Sequence, residues 1–301
     1  MPTQNINTTA NVAAENGEFY DRTLLTRLKG ALQFLKYGQK RNLPKNSGKT
    51  IHFRRFNSLT PPEGALEEGV TPAGNTISVT DIEATVQQYG DYVVVSDELQ
   101  ETGLDPVVTE MAEVLGEQAA EKIDNVIKDE IFNGTNVQYA NGAASRDAVA
   151  AVLTGAEVKK AVRTLRTGKA RPYNGYYIGF IDPACSFDLQ NDPLWQDVSK
   201  YSNKENIEKG EIGKLHGVKF IDNTNAFVAD NVHGTLIIGQ EAYGVVDVEG
   251  SRKPRIIIKK AKDGGSADPL EQRNTVGWKA FFAAKRLQEL AMVRIESTVS
   301  E

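Results

Sequence analysis

Alternating apolar and polar positions mark the first strongly patterned stretch of the chain. In Gly48-Lys49-Thr50-Ile51-His52-Phe53-Arg54-Arg55-Phe56, Ile51 and Phe53 alternate with His52 and Arg54, the period-2 pattern of a strand with one solvated face. Pro61, Pro62, Gly64, Gly69, Pro72 and Gly74 then punctuate a polar stretch with too many breakers for a helix and too few apolar residues to bury a loop of that length. A return run from Thr76 to Ser96 carries Val79, Tyr89, Tyr92, Val93, Val94 and Val95, the β-branched and aromatic content of strands. Strand, polar tip and strand predict a projecting hairpin over residues 48–96. A two-stranded hairpin is marginal in water by itself, so such an arm calls for another surface to lie on. The plainer alternative is a mobile surface loop.

The period then changes to that of a helix. Val108, Met111, Leu115, Ala119, Ile123, Ile127 and Ile131 recur at spacings of three and four, with Glu110, Glu113, Glu117, Glu121, Lys122, Asp124, Lys128 and Asp129 on the other faces. Asp105 stands at an N-cap position and Pro106 at the first helical position, where its missing N–H costs nothing. Asn133-Gly134 suits a left-handed C-cap. The pattern predicts a helix from Pro106 to Phe132, about 40 Å long at 1.5 Å per residue. An apolar stripe at this spacing reads as core rather than as a cofactor site.

Elsewhere the signals are shorter. Residues 1–18, rich in Asn, Thr and Ala, read as an arm, and Leu24, Leu25, Leu28, Leu32 and Leu35 fit a short amphipathic helix weakened by Gly30. Thr154 with Glu157 forms a capping box for a helix over Gly155 to Arg166. Tyr176 to Ile181, Val218 to Ile221 and Thr235 to Ile238 read as strands, and Pro183 opens another short helix, so residues of about 150 to 245 form a separate α/β lobe. Arg255 to Lys259, the alternation Val276, Trp278, Ala280, Phe282, Ala284, and Leu290 to Ile295 make the C-terminal part strand-rich. Packed back on the long helix, these strands make the lobe an insertion in one core.

The composition changes this picture only by exclusion. With 301 residues, 40% hydrophobic and 25% charged, the chain is long enough for one elaborated domain or two ordinary ones. Nothing approaches a bilayer-spanning apolar run, the polar N-terminus lacks the features of a secretion signal, and the single Cys185 rules out an intrachain disulfide. A net charge of −5 argues against gripping nucleic acid through a broad basic surface, though not against enclosing it. His52, His216 and His233 are scattered, so hydrogen-bonding or surface roles are the better reading for each. Gly264-Gly265 reads as a turn, and Gly210-Glu211-Ile212-Gly213 is equally unconvincing as a phosphate cradle. Ser96-Asp97-Glu98 and Ser145-Arg146-Asp147 are ordinary cap and turn residues. No catalytic, metal or cofactor residue is assigned, and an α/β enzyme would need convergent polar groups that the sequence does not display.

Several stretches in fixed order carry a resemblance that covers nearly the whole chain. They are Phe19 to Leu25, Pro44 to Ile51, Gln88 to Val93, Asn133 to Ala140, Gly210 to Phe220 and Thr275 to Lys279. In these the sequence resembles the major capsid proteins of tailed bacteriophages, in the N-four-like group. The resemblance implies an α+β chain of the Hong Kong-97-type capsid fold, non-enzymatic and without cofactors. Residues 1–47 would be the N-terminal arm and short helix, 48–96 the extended β-hairpin loop, 97–150 with 246–301 the peripheral domain with its spine helix, and 151–245 the axial α/β domain. The spine-helix core would be Val108, Met111, Leu115, Ile123, Ile127 and Ile131, and the inter-subunit contacts Phe19, Tyr20, Arg54, Arg55, Glu67 and Glu68.

The same resemblance implies the partners: further copies of the chain in the hexamers and pentamers of a shell, a separate scaffolding protein, a portal protein and optionally a decoration protein. The shell would enclose double-stranded DNA without sequence-specific binding or any membrane, as the capsid of a virion assembled in the bacterial host cytoplasm. Some related shells crosslink a loop Lys through a nearby Glu. Lys49 with Glu67 or Glu68 offers the residue types, but Lys on a solvated arm is commonplace. The rival of the same fold is an encapsulin compartment around a cargo enzyme.

Overall fold

A computed structural model of the chain describes residues 33–44, 48–57, 74–102, 107–195, 211–248, 254–260 and 269–300, with scattered positions between 58 and 73. The predicted arm, most of the helix around Leu24, the Asp105-Pro106 cap, and Phe19, Tyr20, Glu67 and Glu68 lie outside the described residues. In chain order the strands are β1 (Gln39–Leu43), β2 (Thr50–Phe56), β3 (Val79–Thr85), β4 (Gln87–Ser96), β5 (Val137–Tyr139), β6 (Tyr177–Ile181), β7 (Glu211–Leu215), β8 (Val218–Asp222), β9 (Phe227–Ala229), β10 (Val232–Ile238), β11 (Tyr243–Val248), β12 (Arg255–Lys259), β13 (Arg273–Arg286) and β14 (Met292–Ser297). The helices are α1 (Asp97–Thr102), α2 (Val107–Phe132), α3 (Gly155–Thr167) and α4 (Pro183–Asn191).

The apolar stripe does make one long helix. Leu115, Ala119, Ile123, Ile127 and Ile131 of α2 are buried against the chain's core, with Met111 half-buried at the N-terminal end; the Val108 side chain lies outside the described set. Its end differs from expectation. Neither Asn133 nor Gly134 takes a left-handed φ. Instead Arg286 Nη1 donates to the orphan Asn133 carbonyl at 2.7 Å, and the Thr135 N–H just past the helix donates to Glu289 Oε2 at 3.2 Å, so distant side chains hold this end. At α3 the capping box is likewise replaced. Thr154 sits at the N-cap without a side-chain bond, and Asp192 Oδ2 takes the Gly155 N–H at 2.7 Å.

Among the described residues the strands form three sheets. Antiparallel β2 and β3 form the hairpin, with Thr50 opposite Thr85 and Phe56 opposite Val79. A five-stranded sheet runs β1-β11-β13-β12, with β4 on the other edge of β13. A seven-stranded sheet runs β5-β14-β10-β6-β8-β7, with β9 on β10.

Two expectations need correction here. The return run is not one hairpin limb, because it divides at buried Val86 and its second half pairs with β13 from Phe282–Gln87 to Arg273–Ser96. Alternation alone cannot say which partner a strand takes. At Gly90 the backbones come so close that a β-carbon would lie 2.6 Å from the Trp278 carbonyl oxygen. The C-terminal strand β14, read with the spine-helix part, hydrogen-bonds between β10 and β5 in the second sheet.

One apolar core joins α2 to α3 and the seven-stranded sheet, and it is closed by a residue from the N-terminal side. Phe34 is fully buried, edge-on to Phe132 at 6.2 Å and to Phe180 at 4.6 Å, with its carbonyl accepting from the Tyr243 hydroxyl. Its N–H donates to Asp124 Oδ1 at 3.2 Å.

Burial raises the Asp124 carboxyl to about 6, against the opposing pull of the Phe34 and Gln33 N–H groups and Lys128. The folded state therefore holds this proton more tightly than the unfolded chain. Its stabilising effect is complete below the ordinary carboxylate range and lost as pH rises through about 6, a difference of about 3 kcal/mol. Asp124→Asn keeps an acceptor for Phe34 and removes the charge. We expect urea unfolding at pH 7.5 to show the variant more stable by up to that amount, with the gain vanishing near pH 4.

Candidate functional site: an assembly interface

The hairpin is fixed at its base and bare along its length. Phe53 points inward over Gly244, where a β-carbon would lie 2.5 Å from the Phe53 ring, and it packs with Leu43, Ala84, Val86, Val246 and Ala283. Arg41 stacks its guanidinium 5.4 Å from the Phe53 ring centre and donates to the His52 carbonyl. Beyond this anchor every residue of β2 is exposed. Arg54, Arg55 and Phe56, the last 71% accessible, face solvent together with Ile77 and Val79. Neither Arg54 nor Arg55 makes an ion pair with a described residue. His52 sits beside Asp81 at 2.9 Å, a contact across the hairpin that joins residues 29 apart in sequence.

A second bare surface lies on β4. Among the described strands this ten-residue strand pairs only with β13, and it exposes Tyr92 (67%), Val93 and Val94, with Ile257 of β12 accessible across the same sheet. A long edge strand with apolar side chains is a pairing liability unless something covers it. The geometry of both surfaces suits contact with other chains.

Among the described residues, His216 and Ser96 are held in structural roles, whereas His233 stands apart. His216 and Gly217, at φ values of 50° and 83°, form the two-residue turn between β7 and β8, where consecutive positive φ values are needed. Burial and nearby Lys159 hold the His216 imidazole below its usual range. Ser96 Oγ accepts the Leu99 N–H at the start of α1. Two open grooves, of about 430 Å³ along α2 and about 520 Å³ on β4 and β13, contain no histidine, cysteine or serine. The Nδ1 of His233 lies 3.0 Å from Asp182 Oδ2, with Cys185 beside them. Sequence reading missed this grouping because His233 is 51 residues from Asp182. Only the Asp-Pro-Ala-Cys spacing at the start of α4 hinted that two of the groups would share a helical turn.

Of the residues expected to touch neighbours, the structure places Arg54 and Arg55 on the exposed hairpin, while Phe19, Tyr20, Glu67 and Glu68 lie outside the described residues. Residues 79–295 match the family model described as phage capsid protein. Among curated proteins none matches the sequence. The fold is similar to the capsid structure of cyanophage P-SCSP1u, at 14% identity and a TM-score of 0.67 over 89% of each chain. It is also similar to the capsid of Ralstonia phage GP4, at 12% identity and a TM-score of 0.69 over 90% of this chain and 92% of that one. A virus-like particle from Pyrococcus furiosus is similar at 12% identity and a TM-score of 0.57, over 93% of this chain and 99% of that one.

Proposed function

The chain belongs to the phage capsid protein family, and from that membership we propose that it closes its shell by laying the β2–β3 hairpin across a neighbouring copy. It is a structural subunit with the Hong Kong-97-type fold that assembles with itself into a capsid. The observation that carries the proposal is the hairpin, anchored at its base through Phe53 and Ala84 and presenting Arg54, Arg55 and Phe56 outward. In this reading residues 48–85 are the extended loop, α2 with the five-stranded sheet is the peripheral domain, and α3, α4 and the seven-stranded sheet are the axial domain. Arg54 and Arg55 meet acidic groups of the neighbour, with Glu67 and Glu68 as the candidates.

Many modest contacts made at once give a closed shell far greater avidity than any pair of them. The net charge of −5 suits a wall that encloses duplex DNA without adhering to it. An encapsulin-like shell around a protein cargo is the second reading, supported by the likeness to the Pyrococcus furiosus particle. The contents of purified particles, DNA or enzyme, separate the two.

Reversing both arginines, Arg54→Glu with Arg55→Glu, tests the hairpin. Exposed charges contribute little to a fold, so circular dichroism and the unfolding midpoint of the subunit should be unchanged while particle yield falls several-fold. Hydrogen exchange across residues 56–79 should slow in particles relative to free subunit. Normal yield together with equal exchange in both states would overturn the assignment.

A further inference from the structure

Away from the hairpin and β4, two elements, α4 and β10, bring together a mixed set of donor groups. Asp182 is the N-cap of α4, where its Oδ2 accepts the Ala184 N–H, and Cys185 follows one helical turn later. His233 comes from β10, opposite Ser297 of β14. One ligand atom from each of Asp182, Cys185 and His233 lies within 4.8 Å of the others. Ligands held about 2.0–2.3 Å from a tetrahedral zinc stand about 3.3–3.8 Å from one another, a spacing close to that of these three atoms.

The surroundings hold more oxygen than the protein itself satisfies. Asp222 follows Ile221 on β8 and is in register with Ile181, which places it next to Asp182; its Oδ1 is buried with no hydrogen-bond partner among the described residues. Thr235, two residues along β10 from His233 and therefore on the same side of the strand, is fully buried, with its hydroxyl beside the Cys185 thiol. Two carboxylates side by side repel, and an orphaned buried oxygen is costly. A cation would relieve both penalties.

We propose that Asp182, Cys185 and His233 bind one divalent transition-metal cation of the zinc class, with Asp222 or water completing the coordination. A thiolate, an imidazole and a carboxylate together select a borderline-soft ion over magnesium or calcium, which prefer all-oxygen sites. The site has an entry path, because the Asp182 and His233 side chains keep 14% and 15% of their surface. Binding of the metal displaces the thiol proton to the buffer. Bound metal would pin the first turn of α4 to β10, joining the two sides of the lobe at one point.

The test uses the full chain, stripped with chelator, dialysed and loaded with zinc or cobalt(II) chloride. We expect about one metal per chain by elemental analysis, a higher Tm with zinc, and an intense thiolate-to-cobalt charge-transfer absorption. Cys185→Ala should abolish that absorption. Cys185→Ala, His233→Gln and Asp182→Asn, the last retaining an acceptor for the cap, should each weaken zinc binding on the order of 100-fold. The cobalt spectrum of the unaltered chain decides the matter even if a variant misfolds. Absence of binding at micromolar metal, cobalt binding without a thiolate band, or undiminished binding in all three variants would each overturn the proposal.

Discussion

Ile123→Asp is expected to prevent the subunit from folding, and with it any particle formation. Ile123 is 3% exposed in the middle of the α2 stripe, inside the core shared by the helix and both large sheets. A carboxylate there must stay charged without water or take up a proton, at a cost of several kcal/mol. That is comparable with the whole stability of an ordinary domain, about 5–15 kcal/mol. Two comparisons make the prediction specific. Val114→Asp, on the exposed face of the same helix, should change the unfolding midpoint little, and Ile123→Val should cost only about 0.5–1.5 kcal/mol. A soluble Ile123→Asp subunit with an unaltered guanidinium midpoint would show that the stripe is not core.

The second large effect is expected at Glu296, whose side chain is fully buried on β14. Arg146 grips it with both arms of its guanidinium, Nε to Oε2 at 2.9 Å and Nη2 to Oε1 at 2.8 Å. Arg294 Nε lies 2.8 Å from Oε1, close enough for an ion pair though not aligned for a hydrogen bond. Both guanidiniums sit over the Phe227 ring, at 5.0 and 5.2 Å, and that ring stacks on Phe132 at the end of α2. Neutralising the centre of such a set leaves a buried positive charge without its counter-ion, so Glu296→Gln should lose about 3–5 kcal/mol. Arg146 is partly exposed, and Arg146→Ala should lose clearly less. The pair should be non-additive in a double-mutant cycle, because each single change already breaks the same contact. Additive losses measured by urea unfolding would refute a shared network.

What the sequence disclosed and what it withheld follow a physical division. The stripe from Leu115 to Ile131 was legible because burial on one side of a helix imposes a period that survives in one dimension. The strands β6, β8 and β10 were legible instead as short runs of β-branched and aromatic residues, because β6 and β10 are buried on both faces and keep no alternation. The destination of β4 was not, since alternation records that one face is covered and says nothing of the strand alongside. Caps failed where a remote residue did the work. Asp192 replaces Thr154 at α3, and Arg286 and Glu289 replace a left-handed Gly134 after α2. The surface was legible as a polar hairpin with Arg54 and Arg55, whereas the Asp182, Cys185 and His233 grouping exists only once α4 and β10 are folded side by side.

The attachment of the hairpin at one end has a mechanical corollary. Seven residues of β2 at about 3.3 Å each give a stiff ribbon about 23 Å long. Pivoted about Phe53 against Gly244, the stretch of about 10 Å from Phe53 to Phe56 turns a rotation of about 10° into a displacement of about 2 Å at Phe56, and more beyond it. A closed icosahedral surface asks identical chains to meet at slightly different dihedral angles, and a cantilever absorbs those differences at its root. The packed sheets then need not bend, and one sequence can occupy unlike positions with the same interior.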